Sequence, residues 1–255
     1  VIKINTDNCI SAKFIERGGA DLLIIYNSGR FRMAGHGSTA GLMAYGDANA
    51  VAMEIGEFEV LPVVEEIPVI CGVHASDPRR RMWHWLLQVK EMGFSGIQNF
   101  PTVGLYDGRL RQNLEETGMG YGLEVELVRK ANELDLLTSP YVFEPSQAAD
   151  MAAAGADILV PHMGLTTKGS IGASTALRLE DCPAIIDAMA AAAKEAREDV
   201  IVLCHGGPIS EPADAQYILQ NTSSIDGFFG ASSIERLATE SAIRDQAAAF
   251  KKITF

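Results

Sequence analysis

The sequence lacks several features that would narrow its function at once. No stretch approaches the run of about 20 apolar residues that crosses a bilayer, and no charged-then-apolar leader opens it. The four cysteines, Cys9, Cys71, Cys182 and Cys204, stand far apart with no CxxC pair, so they read as free thiols rather than a zinc or redox centre. No HxH or HExxH spacing fixes two metal ligands locally. Positive charge is scarce: 21 Lys and Arg face 33 Asp and Glu, a net charge of -12. A phosphate backbone or an anionic membrane surface would be repelled, so neither nucleic acid nor membrane is an expected partner. The expected location is cytoplasmic.

What is present is a large apolar fraction, 47% of 255 residues, laid out as short β-branched runs alternating with longer amphipathic stretches. That order selects a parallel sheet flanked by helices. Eight runs can be counted: Val1–Asn5, Leu22–Asn27, Val69–Val73, Gly96–Asn99, Leu136–Val142, Ile158–Pro161, Val200–Leu203 and Gly227–Phe229. Eight βα units predict a (β/α)8 TIM barrel, and the length is ordinary for a single such domain spanning residues 1–255. Helices are expected at Pro78–Met92, Glu124–Glu133, Pro145–Ala154, Cys182–Arg197, Glu211–Gln220 and Thr239–Lys251, where apolar residues recur every three or four positions. The Ala188–Ala193 run has little polar cover and predicts packing on the barrel or on another subunit, and a homo-oligomer is expected. Two connections, Ser28–Pro68 and Phe100–Leu123, are longer than a barrel needs and rich in glycine, which marks active-face loops or short extra helices.

In such a barrel the reacting groups stand where strands end. His162 follows the sixth run and His205 the seventh, so adjacent strands should bring them together, with Glu144 after the fifth. Two imidazoles and a carboxylate suit proton transfer, or a divalent metal: magnesium on the oxygens of Glu144 or Asp47, zinc or manganese on the histidines. No organic cofactor is expected. Gly206-Gly207 and Gly230-Ala231-Ser232-Ser233 lie where barrels hold phosphate, and Gly206, Gly207, Gly230, Ser232 and Ser233 are expected to meet the anionic end of a ligand. The segment Asn27–Arg32 offers two guanidinium groups beside the second strand end, one of which could clamp a carboxylate; Ser28 and Arg30 are expected to meet the substrate, and Asn27 and Gln98 would orient a carbonyl. Arg79-Arg80-Arg81 reads as a solvated face or subunit contact.

Several long phrases resemble one family. Tyr26-Asn27-Ser28-Gly29-Arg30, Tyr45-Gly46-Asp47-Ala48-Asn49, Gln98-Asn99-Phe100-Pro101-Thr102-Val103-Gly104, His162-Met163-Gly164-Leu165-Thr166 and Cys204-His205-Gly206-Gly207-Pro208 are similar to those of phosphoenolpyruvate hydrolase-like TIM barrels. That family includes stand-alone bacterial barrels and the C-terminal part of larger proteins with an upstream nucleotide-binding region, plant antiviral resistance proteins among them. The resemblance implies a distant link to the phosphoenolpyruvate mutase and isocitrate lyase superfamily, whose members break a C–C or C–P bond of a magnesium-held 2-oxo acid through an enolate. It therefore implies a lyase or hydrolase for a small anionic oxo acid or acyl compound. The alternative is an anion-binding or signalling barrel that works with an ATP-binding partner without turnover. The superfamily's acidic metal-binding pattern and its lysine–cysteine loop are not found, and Asn5-Thr6-Asp7-Asn8-Cys9 stands where a glycine-rich turn is expected.

Overall fold

The computed structural model describes residues 1–254. Nine parallel strands form one curled sheet: β1 (Ile2–Asn5), β2 (Leu22–Ile25), β3 (Val69–Gly72), β4 (Gly96–Gln98), β5 (Leu137–Thr138), β6 (Tyr141–Val142), β7 (Ile158–Pro161), β8 (Ile201–His205) and β9 (Gly227–Gly230). Their order is β5-β4-β3-β2-β1-β9-β8-β7-β6. The alternation of strand and helix is thus as the sequence predicts, but Leu136–Val142 yields two strand segments instead of one. Pro140 is the reason, because it has no N–H to donate to a ladder. On one side of this run, Leu137 and Ser139 donate to Ser95 and Ile97; on the other, Val160 and His162 donate to Pro140 and Val142. The two ends of the strand order therefore meet in a single stretch of chain.

Side chains alternate between the two faces of the sheet. Outward residues such as Leu23, Ile25, Cys71 and Ile97 pack under the helices, while Cys204 and Val202 join Met151, Ile186 and Met189 on the far side. Inward residues form their own cluster, including Ile24, Ile70, Val160, Leu203 and Phe229. Polar side chains interrupt that inner face at its C-terminal end, and these build the site described below. Burial raises the thiols of Cys182 to about 11 and Cys204 to about 12, so neither is a thiolate at neutral pH.

The helices match the apolar periodicity with shifted ends. Met82–Met92 starts four residues later than predicted, because Asp77 first turns the chain by accepting from the Arg79 N–H at 2.9 Å. Helix Arg236–Lys251 starts three residues earlier than expected. The Ala-rich stretch lies in helix Cys182–Ala196, whose Met189, Ala190 and Ala193 are buried against helix Pro145–Ala153. Both long connections contain short helices, Ser28–Met33 and Ala48–Ile55 in the first and Gly108–Glu116 in the second. Among the described residues no helix is long and apolar enough to cross a membrane.

Candidate active site

The C-terminal ends of the strands enclose a pocket of only about 30 Å³, lined by Tyr26, Arg32, Tyr141, His162 and His205, with Ser28, Ser38, Thr166 and Ser232 at its margin. His162 and His205 are neighbours, as adjacent strand ends require: they form a parallel bridge, and their ring centroids lie 4.9 Å apart, edge to face.

Hydrogen bonds fix both tautomers. His205 Nδ1 lies 2.8 Å from the Phe229 carbonyl, which can only accept, so Nδ1 carries the proton and Nε2 is an acceptor. Tyr141 donates its hydroxyl to that Nε2 across 3.2 Å, and the Tyr26 hydroxyl, 3.3 Å away, donates to Tyr141. His162 has the opposite arrangement. Its Nδ1 accepts from the Gly164 N–H at 3.0 Å, which places the proton of the neutral ring on Nε2. Burial lowers His162 to about 4, while burial and then the neighbouring His162 hold His205 well below the usual imidazole value. At neutral pH the site therefore holds one imidazole that donates at Nε2 and one that accepts there.

Tyr141 is held in place from behind. Asn99 takes both of its backbone groups, donating to the Tyr141 carbonyl at 3.2 Å and accepting its N–H at 2.7 Å. Glu124, on helix Gly122–Glu133, in turn accepts from Asn99, the Thr102 hydroxyl and the Val103 N–H. Burial lifts Glu124 to about 7 against the pull of these donors.

The pocket's cation is Arg32, not the expected Arg30. Arg30 points to the outside, paired with Glu54 at 3.3 Å and Glu59 at 3.7 Å. Helix Ser28–Met33 turns Arg32 inward, two residues on, where it donates to Ser28 at 2.9 Å, to Asn5, and to Glu235 at 3.3 Å. The unusual Asn5-Thr6-Asp7 segment builds this cradle. Asp7 lies beside Glu235, and burial, then a side-chain hydrogen bond with Glu235 and that residue's charge, raise it to about 9.

Other expected site residues are placed differently. Glu144 is exposed, receives the Ser146 hydroxyl at 3.0 Å, and does not line the pocket with the histidines. Asn27 is buried and donates to the Gly41 carbonyl at 2.9 Å. Gln98 lies one layer below the pocket, where it accepts from Lys3. Gly206 and Gly207, both at positive φ, let two strand-end loops touch, and the Gly207 N–H is taken by the Gly164 carbonyl at 2.7 Å. Ser232 lines the pocket, 3.4 Å from Ser38, whereas Gly230 and Ser233 do not reach it. The residues that sequence reasoning missed are Lys3, Tyr26 and Tyr141. Strand parity was the available signal: Tyr26 shares the inward face with Leu22 and Ile24.

A model of the phosphoenolpyruvate hydrolase-like family matches residues 1–253. The chain belongs to the phosphoenolpyruvate hydrolase-like family. Among its relatives is the ToMV susceptible protein tm-1(GCR26) of Solanum lycopersicum, 58% identical over 245 residues, which are 96% of this chain and 32% of that protein. The chain thus spans about a third of that relative's length. Two solved structures share the fold. Phosphonopyruvate hydrolase in complex with oxalate and Mg2+ superposes with a TM-score of 0.57 at 15% identity, covering 98% of this chain and 82% of that one. Oxaloacetate acetylhydrolase with 3,3-difluorooxalacetate gives 0.58 at 12% identity, covering 99% and 81%. At these identities the likeness shows a TIM-like fold alone.

A divalent metal does not fit the donors present in this family member. Among the described residues no three His, Cys, Asp or Glu side chains converge as a ligand set. Of the expected set, Glu144 stands apart from the paired His162 and His205, and His205 Nε2 and His162 Nδ1 both already accept protein hydrogens. Asp47 is bound by Arg79 and Arg80, at 2.5 and 2.8 Å.

Proposed function

We propose that this protein is an enzyme that cleaves the C–C or C–P bond of a small 2-oxo acid at the C-terminal mouth of a (β/α)8 barrel, β5 and β6 being one strand interrupted at Pro140. The observation that carries this reading is that a buried guanidinium and a continuous hydrogen-bonded chain, Tyr26–Tyr141–His205, line one pocket together with the Nε2–H of His162. Arg32, with Ser28, Ser38 and Ser232 beside it, holds the carboxylate. His162 donates to the oxygen on which negative charge develops as the bond breaks. The water that attacks the departing acyl or phosphoryl group gives up a proton and the enolate carbon takes one. The two tyrosines and His205 connect those events: the hydroxyls pass the water's proton to His205 Nε2, which returns it through them to the enolate carbon, while Nδ1 stays bound to the Phe229 carbonyl.

Family membership and the fold shared with two enzymes of small anionic substrates support this assignment. The same reading carries a cytoplasmic homo-oligomer. A second reading, an anion-binding barrel that serves an ATP-binding partner, is favoured by one fact: the chain matches only a third of its plant relative. Incubating the purified protein with 2-oxo acids and phosphonates, followed by product analysis, separates the two. Consumption of a substrate establishes the enzyme, and stabilisation by a ligand that is never consumed establishes the binding barrel.

A further inference from the structure

Negative charge at this mouth is already matched. Asp47 and Asp77 are held by Arg79 and Arg80. Glu235 pairs with Arg32, and Asp7, forced against Glu235 without a cation of its own, keeps its proton at neutral pH. The Arg32–Glu235–Asp7 group therefore sums to no net charge. One positive side chain remains.

Lys3 projects inward from β1 and is fully buried one layer below the pocket. Among the described residues no carboxylate pairs with it. Its Nζ donates to Gln98 Oε1 and, at 2.6 Å, to Ser139 Oγ, and it stands 4.4 Å over the centroid of the Phe229 ring. Two oxygen acceptors and a π face are three electron-rich partners, which match the three N–H bonds of an ammonium. Above it, Phe229 stacks on His205 with centroids 4.3 Å apart, and the Gln98 amide approaches the Tyr141 hydroxyl.

We propose that Lys3 takes the place of a divalent cation: its ammonium is the fixed positive charge over which the site binds the planar dianion of an enolised 2-oxo acid, so that ligand binding needs no metal ion. The proposal rests on the functional reading above and names the device that makes it work. Burial draws the amine's proton affinity down; the two oxygen acceptors and the Phe229 ring around Nζ are the contacts that favour its charged form. Lys3 touches no ligand; it acts through Gln98, Tyr141 and His205 and is a positioning residue. Its charge also explains a property of His205, whose proton affinity is lowered by burial, then by His162, and also by Lys3 and Arg32.

Oxalate, a planar dianion shaped like the enolate, is the probe. Calorimetric titration of the whole chain with oxalate, first with a chelator and then with magnesium, should give the same affinity within twofold. Lys3→Gln should bind oxalate at least tenfold more weakly, and NMR of the His205 ring should show its titration moving to higher pH once the cation is gone. Tenfold or greater tightening of the wild type by magnesium overturns the proposal alone. Unchanged oxalate affinity in Lys3→Gln overturns it as well, as does weaker binding with His205 unmoved, which makes Lys3 merely structural. No oxalate binding in either metal state defeats the oxo-acid reading itself. Lys3→Met replaces Lys3→Gln if the latter does not fold, and should neither fold, the paired wild-type titrations still decide.

Discussion

Two rims of the same mouth use their polar residues in opposite ways. On the β3 side, His74 sits among Asn49, Ser76 and Asp77, and Arg80 bridges Asp47 and Asp77 while stacking 4.4 Å over Trp85. Burial pushes Asp47 and Asp77 upward, but the Arg80 contacts and backbone N–H bonds outweigh it and hold both below the usual carboxylate range. On the β7–β9 side, His162 and His205 meet no carboxylate at all and stay neutral. A histidine at a strand end is therefore not a catalytic signal in itself. The difference lies in what surrounds it: paired charges fix a loop in place, whereas the desolvated imidazoles leave the His162 Nε2–H free for a ligand and tie His205 Nε2 into a chain of hydroxyls.

The largest expected break in this contrast is His205→Ala, which should reduce turnover of the oxo acid by roughly 10²–10⁴-fold with the melting transition retained, as loss of an acid–base group does. Product formation at saturating substrate checks it, and near-normal turnover would remove His205 from the chemistry. Arg32→Met should cost about 3–5 kcal/mol in urea unfolding, because it strands Glu235 without a partner in the interior. Arg80→Ala, on the better hydrated rim, should cost only about 1 kcal/mol in the same assay. Glu144→Gln should change turnover by less than about twofold, since its carboxylate lies outside the pocket.

pH sharpens the contrast further. Asp7 rises from 3.8 to about 9 on folding, so the folded protein keeps a proton that the unfolded chain releases. Its stabilising contribution is complete below about pH 4 and is lost as pH climbs toward 9. His162 falls from 6.5 to about 4, so its effect is the reverse: nothing is lost above about pH 6.5, and stability declines as pH drops through 4. Denaturation midpoints across pH should therefore flatten on the alkaline side in Asp7→Asn and on the acid side in His162→Gln.

Much of this was legible in the residues. The alternation of apolar runs gave parallel strands with helices outside, and the positions of His162 and His205 after successive runs gave their contact. The rest depended on facts that no local pattern carries. Arg30 and Arg32 are equivalent as letters, and only the helix beginning at Ser28 decides which one faces inward. Glu144 was grouped with the histidines by strand order, yet the chain leaves β6 through Phe143 and turns into helix Pro145–Ala153 with that carboxylate outside. The two glycines after β8 looked like an anion cradle, and their strand-end neighbours at Met163 and Gly164 fill the space instead. Lys3 was passed over because a lysine near the chain start reads as solvated, although in a closed barrel its register with Leu22 and Phe229 puts it on the inward face.

The small volume of the pocket carries a kinetic consequence. That space holds only a few water molecules between strand ends and loops, so a ligand larger than those waters enters when part of the lining moves. The segment that provides Gly164, Leu165 and Thr166 is fastened further along by Lys168 to Asp214 at 3.1 Å, by Arg236 to the Lys168 carbonyl at 3.1 Å, and by the Ser170 N–H to Glu240 at 2.9 Å. Measured affinity is then the intrinsic affinity scaled by the fraction of molecules with that segment raised. Three fastenings at the periphery would thus govern how often the chemistry at the centre can begin.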